Sequence, residues 1–296
     1  AASCLADLSV LDGAGVVFLS DVSSSQRNEI LKYCVERDID VYMTPRIGDT
    51  LMQGARQVHL FHLPILKVGR YHPSPLYLLV KRVFDILASA LALLVLSPLF
   101  LVISAAIKFY DGGPVFYTQD RLTRNGKVFR IHKFRSMRVD AEKDGVARLS
   151  TGEHDDRITP VGRFIRRTRI DELPQLVDIL RGDLSVVGPR PERPEIAAQY
   201  EETMPEFRLR LQAKAGLTGY AQVYGKYNTR PYDKLKMDLM YISHPSLITD
   251  LRICFATVKI LFMPESTEGI SEGQTTAMSV EADGDAALES SETLRV

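Results

Sequence analysis

Two adjacent carboxylates, Asp171 and Glu172, are the side chains whose types and spacing most clearly suit chemistry. They directly follow the basic run Arg166-Arg167-Thr168-Arg169 and directly precede Leu173-Pro174-Gln175. Paired carboxylates beside cations suit phosphoryl transfer, because one can attack phosphorus, the other can hold Mg²⁺, and arginines can stabilise the phosphate oxygens. Taken alone, the pair is more simply a helix N-cap with surface salt bridges.

The carboxylates are expected at the start of an amphipathic helix. Apolar side chains recur at helical spacing from Leu173 to Leu180, and Gly182 is typical of the position after a helix end. Pro174 fits only a first helical turn, which puts the start of the helix near Asp171. The helix dipole and the nearby guanidinium groups should keep a carboxylate there ionised and attract other anions.

Charge is balanced over the chain, with 37 Lys and Arg against 37 Asp and Glu, so no global field points to nucleic acid. Locally, residues 121–169 are basic and the tail after Pro264 is acidic. A basic nucleic-acid-binding module built on 121–169 is therefore an alternative, but the acidic tail and an apolar segment described below argue against it.

The three cysteines, Cys4, Cys34 and Cys254, are far apart and form no CxxC pair, which suggests a reducing compartment without disulfides. The chain starts Ala1-Ala2-Ser3 without an initiator Met, so we expect a fragment of a longer protein.

Residues 1–72 are predicted to form a partial α/β unit. Val16–Leu19 and Ile39–Met43 have the character of strands, with a helix between them capped by Asp21 or Ser23, and 58–66 could add a third strand. Strand, helix and strand over this length indicate a βαβ crossover. Without a GxGxxG motif, a structural or regulatory role is favoured over nucleotide binding.

Residues 76–110 are predicted to be a membrane segment, because no charged residue occurs from Ile86 to Ile107. Ser97-Pro98 near the middle should bend or break a helix, and positive charge flanks both ends, with Lys81-Arg82 before and Lys108 after. A re-entrant helix-break-helix that leaves by the face it entered is favoured over a spanning helix, and a buried core helix is the least favoured reading.

Residues 111–266 are predicted to be a mainly helical catalytic domain with a small sheet. Two strands should meet across Asn125-Gly126, a strong turn signal, and helices are expected over 196–211, 232–241 and 247–262. The apolar face of the last helix is expected to pack on the domain rather than on a membrane surface. Residues 140–156 should form a mobile loop and 267–296 a disordered acidic tail.

Arg190 lies between two prolines in Gly188-Pro189-Arg190-Pro191, which restricts the backbone and suits a fixed phosphate clamp. No Ser-His-Asp set and no Cys/His ligand cluster is evident in the sequence. His132 and His154 are isolated and are expected to be solvated or capping residues rather than catalytic ones.

In order and spacing, a set of motifs over residues 81 to about 270 resembles the bacterial sugar transferase family, the monotopic polyprenyl-phosphate hexose-1-phosphate transferases. The N-terminal unit is more loosely similar to the end of the Rossmann-like domain of the larger members. The motifs are Lys81-Arg82-Val83-Phe84-Asp85, Ser97-Pro98, Tyr117-Thr118-Gln119-Asp120-Arg121, Lys133-Phe134-Arg135-Ser136-Met137, Asp156-Arg157-Ile158-Thr159-Pro160-Val161-Gly162, Asp171-Glu172-Leu173-Pro174-Gln175, Val187-Gly188-Pro189-Arg190-Pro191, Gly216-Leu217-Thr218-Gly219 and Ala221-Gln222-Val223.

The resemblance implies an α+β protein with a re-entrant anchor, on the cytoplasmic face of the bacterial inner membrane. It would transfer a hexose-1-phosphate from a UDP-sugar to undecaprenyl phosphate and release UMP, starting a polysaccharide repeat unit. Asp171 would be the nucleophile that forms a covalent phosphosugar intermediate, and Glu172 would bind Mg²⁺. The implied substrate and phosphate contacts are Arg166, Arg190, Lys133, Arg135, Arg121, Asp156 and Gln222.

Tyr220 stands where many relatives have Trp, which puts one ligand contact in doubt. The alternative function is a catalytically silent, membrane-anchored interaction protein of the polysaccharide machinery, although intact Asp171, Glu172 and Arg190 argue against it. The sequence does not specify the sugar, and it leaves homo-oligomer formation open.

Overall fold

The computed structural model describes residues 7–20, 22–60, 62–141, 155–225 and 229–261. The chain divides into two compact units, with the boundary between Asp49 and Thr50, and each is described by itself. His154, most of the predicted loop and the predicted tail lie outside the described residues.

The first unit contains the predicted βαβ crossover. Strand β1 (Val16–Leu19) pairs in parallel with β2 (Asp40–Met43), and helix α1 (Ser24–Glu36) joins them. The Ser23 side chain accepts a hydrogen bond from the Gln26 backbone N–H and so caps α1. Two strands and one helix confirm the crossover and are too few to define a Rossmann-like sheet.

The predicted third strand is instead a separate hairpin in the second unit. After α2 (Ile47–Gln53), β3 (Arg56–Leu60) pairs in antiparallel with β4 (Leu63–Lys67). The chain after the hairpin is tied to the second unit, since the Tyr71 backbone N–H donates to Gln212 Oε1 at 2.9 Å. The unit boundary therefore lies before the residue 72 expected from the sequence.

Helix α3 (Pro75–Asp111) has 37 residues and is long and apolar enough to cross a membrane. At ~1.5 Å per residue it is about 55 Å long. The helical assignment is continuous through Pro98, so the break predicted at Ser97-Pro98 is not an interruption of the helix. The Ser97 hydroxyl donates to the Leu94 carbonyl at 2.8 Å. A re-entrant course for α3 therefore stays a prediction.

Both halves of α3 pack on other elements of the second unit, to which the helix belongs. Leu93 and Leu96 contact a buried cluster that includes Leu176 and Ile179, whereas the later residues Leu99, Phe100, Ile103 and Ile107 contact a cluster around Phe134 and Ile165. The opposite face of α3 is exposed and apolar; its most exposed leucines are Leu76, Leu94 and Leu101.

The remaining elements surround these two clusters. Strands β5 and β6 form the predicted hairpin, with Asn125 and Gly126 at φ of 60° and 75°, as its turn requires. Strands β7 and β8 pair in parallel. In chain order the elements are β5 (Phe116–Leu122), β6 (Val128–Phe134), α4 (Pro160–Arg167), α5 (Gln175–Arg181), β7 (Ser185–Val187), α6 (Pro194–Thr203), β8 (Gly216–Thr218), α7 (Tyr220–Tyr224), α8 (Pro231–Ser243) and α9 (Leu247–Leu261).

The helix predicted over 196–211 is divided in two. Helix α6 ends at Thr203, and a 3-10 helix follows over Pro205–Gln212. Pro205 lacks a backbone N–H and disfavours helical geometry in the residue before it, and Met204 accordingly has φ of −142°.

The glycines of the β7–β8 region allow two backbone segments to touch. A Cβ on Gly216 would lie 2.1 Å from the backbone nitrogen of Gly188, and one on Gly188 would lie 2.3 Å from the Lys214 carbonyl oxygen. A Cβ on Gly219 would lie 2.1 Å from the Gly188 carbonyl oxygen. Side chains are therefore excluded at all three positions.

The expectation that the apolar face of α9 packs on the domain is wrong. Phe255 is 75% exposed, Val258 54% and Leu251 45%, whereas the buried side of the helix carries Ile253 and Asp250. Asp250 is held inside by an ion pair with Lys81 at 2.8 Å, so a polar anchor rather than the apolar stripe sets the orientation of α9.

Candidate active site

The carboxylate pair lies in a single 3-10 turn, Ile170–Glu172, directly before α5. The chain enters this turn through Arg169, whose φ of +59° lies in the left-handed region. Gly182 ends α5 in the left-handed conformation, at φ of +93°. The predicted position of the helix is confirmed, with its first turn wound more tightly than an α-helix.

Glu172 receives two cations on one oxygen. Lys133 Nζ lies 2.8 Å and Arg190 Nη2 lies 2.9 Å from Glu172 Oε1. Lys133 comes from β6 and Arg190 from the segment after β7, so three parts of the fold meet at this carboxylate. Within the described part of the chain, Glu172 Oε2 has no hydrogen-bond partner.

The pKa of Glu172 is lowered well below its usual value. Burial acts to raise it, but the charges of Arg190 and Lys133 outweigh burial. Burial also lowers the pKa of Lys133, against the opposing effect of Glu172. Glu172 is therefore ionised and firmly held.

Asp171 differs from Glu172 both in its contacts and in the direction of its pKa shift. It is 9% exposed, and among the described residues its carboxylate accepts no hydrogen bond and forms no ion pair. Burial, together with the charge of Glu172, raises the pKa of Asp171 to about 6. The helix dipole and the arginines were expected to keep a carboxylate here ionised; burial outweighs the cations and raises the pKa of Asp171, which at about 6 still leaves it mostly ionised at neutral pH.

Four cations act on the pair. Arg166, at the end of α4, and Arg169 both lower the pKa of Asp171, as does Lys133. Arg169 was not among the predicted site residues. Its place two residues before Asp171 was visible in the sequence, but the left-handed turn that puts it beside the pair was not.

Arg121 and Arg135, two further predicted phosphate contacts, have hydrogen-bond partners outside the carboxylate pair. Arg121 is bound to Glu192 at 3.3 Å and to Gln119 Oε1 at 2.6 Å, and it is within electrostatic range of Arg190 and Glu172. Arg135 is 7% exposed and forms an ion pair with Asp111 at the end of α3, with Nη1–Oδ2 at 2.8 Å. The Arg135 guanidinium is therefore bound to Asp111, and its predicted phosphate contact stays a prediction.

Asp156 and Gln222 are not brought to the carboxylate pair by any contact among the described residues. Asp156 is exposed, whereas its neighbour Asp155 is buried and pairs with Arg157 at 2.6 Å. Gln222 lies in α7, and its side-chain nitrogen donates to the Leu217 carbonyl at 3.4 Å. Their roles in substrate binding stay predictions.

His132 is not isolated, contrary to the expectation from the sequence. Its Nδ1 lies 2.6 Å from Asp178 Oδ1, and its backbone N–H donates to Asp178 Oδ2 at 2.9 Å. Asp178 is buried on α5, so the contact joins β6 to α5. The separation of 46 residues between the partners hides it from sequence patterns.

The donor set fits one Mg²⁺ ion with few protein ligands. Glu172 Oε2 is a hard, ionised oxygen without a hydrogen-bond partner among the described residues, which suits an ion that takes one or two carboxylates together with substrate phosphates. In the part of the chain that is described, no group of three or more His, Cys, Asp or Glu side chains forms a complete protein cage.

Comparison with known proteins finds a matching family and several related bacterial proteins. Residues 76–264 match the family described as bacterial sugar transferase. The chain is 36% identical over 244 residues to an Aeromonas hydrophila protein named UDP-N-acetylgalactosamine-undecaprenyl-phosphate N-acetylgalactosaminephosphotransferase, covering 81% of this chain and 56% of that one.

Two further relatives also match more than half of this chain. An Escherichia coli K12 protein named UDP-glucose:undecaprenyl-phosphate glucose-1-phosphate transferase is 39% identical, over 70% of this chain and 44% of its own. The exopolysaccharide production protein PSS of Rhizobium leguminosarum is 43% identical, over 61% of this chain and 94% of its own. The chain thus spans about half the length of the larger relatives.

The family match covers the apolar helix, the carboxylate turn and the strand pair that presents Arg190. The chain belongs to the bacterial sugar transferase family.

Proposed function

We propose that this chain transfers a hexose-1-phosphate from a UDP-sugar to undecaprenyl phosphate, releases UMP, and so initiates synthesis of a polysaccharide repeat unit. The names of the relatives support this class of donor and acceptor. The observation that carries the proposal is the contrast within the carboxylate pair. Glu172 is held by two cations, whereas Asp171 has no hydrogen-bond partner among the described residues.

Asp171 acts as the nucleophile in the first half of the reaction. An oxygen of its carboxylate forms a bond to the sugar-linked phosphorus, the bond from that phosphorus to the bridging oxygen breaks, and UMP leaves with the electron pair. In the second half, a phosphate oxygen of undecaprenyl phosphate attacks the same phosphorus and returns Asp171 as a free carboxylate. With a pKa of about 6, Asp171 is mostly ionised at neutral pH, as this role requires.

The surrounding cations stabilise the negative charge on the phosphate oxygens of the donor. Arg190 and Lys133 meet at Glu172, and Arg166 and Arg169 lie within electrostatic range of Asp171. Fixed cations around a developing charge contribute more than mobile ones, since they need no reorganisation during the reaction. Mg²⁺ held by Glu172 Oε2 would supply further charge neutralisation at the diphosphate.

Helix α3 anchors the protein on the cytoplasmic face of the inner membrane and follows a re-entrant course. Both ends of α3 contact other elements of the same compact unit, through Arg82 near its start and through Asp111, paired with Arg135, at its end. A helix whose two ends bind one folded domain is expected to have both ends on one side of a bilayer.

Cysteine labelling tests this topology. In a variant with the native cysteines replaced by Ser, single cysteines at Leu79 and Phe109, which are 61% and 89% exposed, should both react only with a reagent on the cytoplasmic side. Reaction from opposite sides would show a spanning helix.

UMP release tests the reaction. With Mg²⁺ and undecaprenyl phosphate, the chain should release UMP from at least one member of a panel of UDP-sugars, and Asp171→Asn should lower turnover about a thousandfold or more. Denaturing mass spectrometry without acceptor should detect a phosphosugar adduct on the Asp171 peptide. Asp120→Asn is the matched control, because the Asp120 side chain on β5 is exposed and pairs with Arg130. Absence of UMP release across the panel would instead support a silent member of the family.

A further inference from the structure

Arg82 on α3 binds the end of the helix that follows the carboxylate pair. Its Nη1 donates to the Ile179 carbonyl at 2.6 Å and its Nη2 to the Leu180 carbonyl at 2.8 Å. These carbonyls belong to the last turn of α5, where a helix leaves oxygens without its regular internal partners, and the Ile179 carbonyl also accepts from the Gly182 N–H at 3.0 Å. Arg82 therefore fixes the far end of the short segment that begins with Asp171 and Glu172.

Asp85, one turn further along α3, binds the strand that leads to Arg190. Its Oδ2 accepts a hydrogen bond from Ser185 Oγ at 2.8 Å and its Oδ1 accepts one from the Val186 backbone N–H at 3.0 Å. Asp85 is 3% exposed, so these bonds are shielded from water. Both are charge-assisted and directional.

The two contacts hold opposite sides of one ion pair. Glu172 comes three residues before α5, Arg190 comes three residues after β7, and the two side chains meet at 2.9 Å. Apolar packing of α3 on this region could slide, because it is not directional. Hydrogen bonds from one helical turn to the backbones of α5 and β7 fix the positions of these elements relative to each other.

We propose that Arg82 and Asp85 are positioning residues that set the geometry of the Glu172–Arg190 pair, so that correct seating of α3 is a condition for turnover. The catalytic consequence rests on the proposed function, whereas the positioning itself does not. Neither side chain needs to touch substrate. Each acts through the element to which it is bound.

The test uses the full chain in lipid nanodiscs with four variants. Arg82→Gln and Asp85→Ala remove the contacts, and Asp85→Asn retains an acceptor for the Val186 N–H. Lys108→Gln is the matched control, because Lys108 lies on the same helix and donates only to the exposed Gly112 carbonyl among the described residues. Two readouts are taken: kinetics of UMP release, and hydrogen exchange of backbone amides over residues 176–190.

Positioning predicts that Arg82→Gln and Asp85→Ala lower kcat about 10- to 100-fold with little change in KM for the UDP-sugar, as expected for a small displacement of reacting groups. Amide exchange should accelerate over 176–190, Asp85→Asn should recover most of the loss, and Lys108→Gln should behave as the unmodified chain. Unchanged exchange over 176–190 in both Arg82→Gln and Asp85→Ala would overturn the proposal.

A double-mutant cycle separates positioning from loss of folded protein. If Arg82 acts through Arg190, Arg82→Gln added to Arg190→Gln should cost much less than it does in the unmodified chain. Full additivity would overturn positioning through this pair. A chain that releases no UMP from any donor would end the proposed function, while the exchange data would still decide whether Arg82 and Asp85 hold α5 and β7.

Discussion

The protein contains two buried clusters of acidic and basic side chains. They differ in whether each acid is matched by one base or faces an excess of cations. In the first, Arg210 donates through Nε and Nη2 to Asp238 Oδ2, at 2.9 and 2.7 Å, with both side chains almost fully buried. In the second, four cations act on Asp171 and Glu172. A paired cluster is satisfied by itself, whereas a cluster with excess cations retains the capacity to bind an anion.

The pKa directions express the same difference. Burial raises the pKa of Asp238 despite the opposing charge of Arg210. At Glu172 the cations outweigh burial and the pKa falls. The clusters are also connected, since Arg210 Nη2 donates to the Arg190 carbonyl at 2.8 Å and so supports the backbone at Arg190.

The largest expected effect comes from Arg210→Gln, because it leaves Asp238 buried without its guanidinium. Removing one partner of a buried pair costs about 3–5 kcal/mol of unfolding free energy. The loss should shrink as pH falls and Asp238 takes up a proton. Chemical denaturation at pH 7 and pH 5 measures it, with Arg208→Gln, an exposed residue on the same 3-10 helix, as the control. An equal effect of both substitutions would contradict a structural role for the Arg210–Asp238 pair.

Arg190→Gln should lower activity strongly and stability only slightly, the reverse of Arg210→Gln. It should lower kcat/KM for UMP release by about 10²–10³, the range for loss of one fixed donor to a developing charge. Its melting temperature should change less than that of Arg210→Gln, since Arg190 is partly exposed and Glu172 keeps Lys133. Steady-state kinetics beside thermal melts decide the point. A large loss of stability with normal turnover per folded molecule would reverse the comparison.

Asp171→Asn should stabilise the protein while abolishing turnover. The native pKa of about 6 lies above the ordinary value of 3.8, so above pH 6 folding carries the cost of an ionised, buried carboxylate. At 1.36 kcal/mol per pKa unit this cost is about 2–3 kcal/mol at pH 7. Between pH 6 and 4 the native carboxyl gains its proton before the unfolded one, so the advantage of Asn should decline. Denaturation midpoints across this range test the sign, and a variant less stable than the parent at pH 7 would contradict it.

The smallest expected effect is the dependence of kcat/KM on pH. If ionised Asp171 is the nucleophile, kcat/KM should fall about tenfold for each pH unit below about 6, because its pKa is raised to about 6. Glu172, with a strongly lowered pKa, should stay ionised over that range. A pH profile of UMP release from pH 4.5 to 8 measures this limb. A limb near pH 4 would place Asp171 in a more polar environment than the structure shows.

Local features of the fold were predictable because they depend on neighbours in the sequence. Gly182 marked the end of α5 and Asn125-Gly126 marked the turn of the hairpin, and both are confirmed; of the two candidate caps for α1, Asp21 and Ser23, the structure shows Ser23 in that role. Each is a requirement of backbone geometry or capping that a short stretch of residues expresses by itself.

Features that depend on distant partners were not predictable. The periodicity of α9 gave an amphipathic helix, yet the Lys81–Asp250 ion pair turns its apolar face outward. Likewise, the commitment of Arg135 to Asp111 and the pairing of His132 with Asp178 join residues far apart in the sequence. For the candidate site, residue chemistry indicated Glu172 and Arg190, and the family resemblance implied Lys133. Only the fold showed that Lys133 and Arg190 meet at one oxygen of Glu172.

The backbone contact at Gly188, Gly216 and Gly219 has a consequence for protein engineering. Because no side chain fits at these positions, none of the three glycines can be substituted to reshape the surroundings of Arg190. Libraries intended to change the accepted sugar should hold these glycines constant and vary side chains elsewhere around the carboxylate pair. In a saturation screen, the three positions should accept glycine alone.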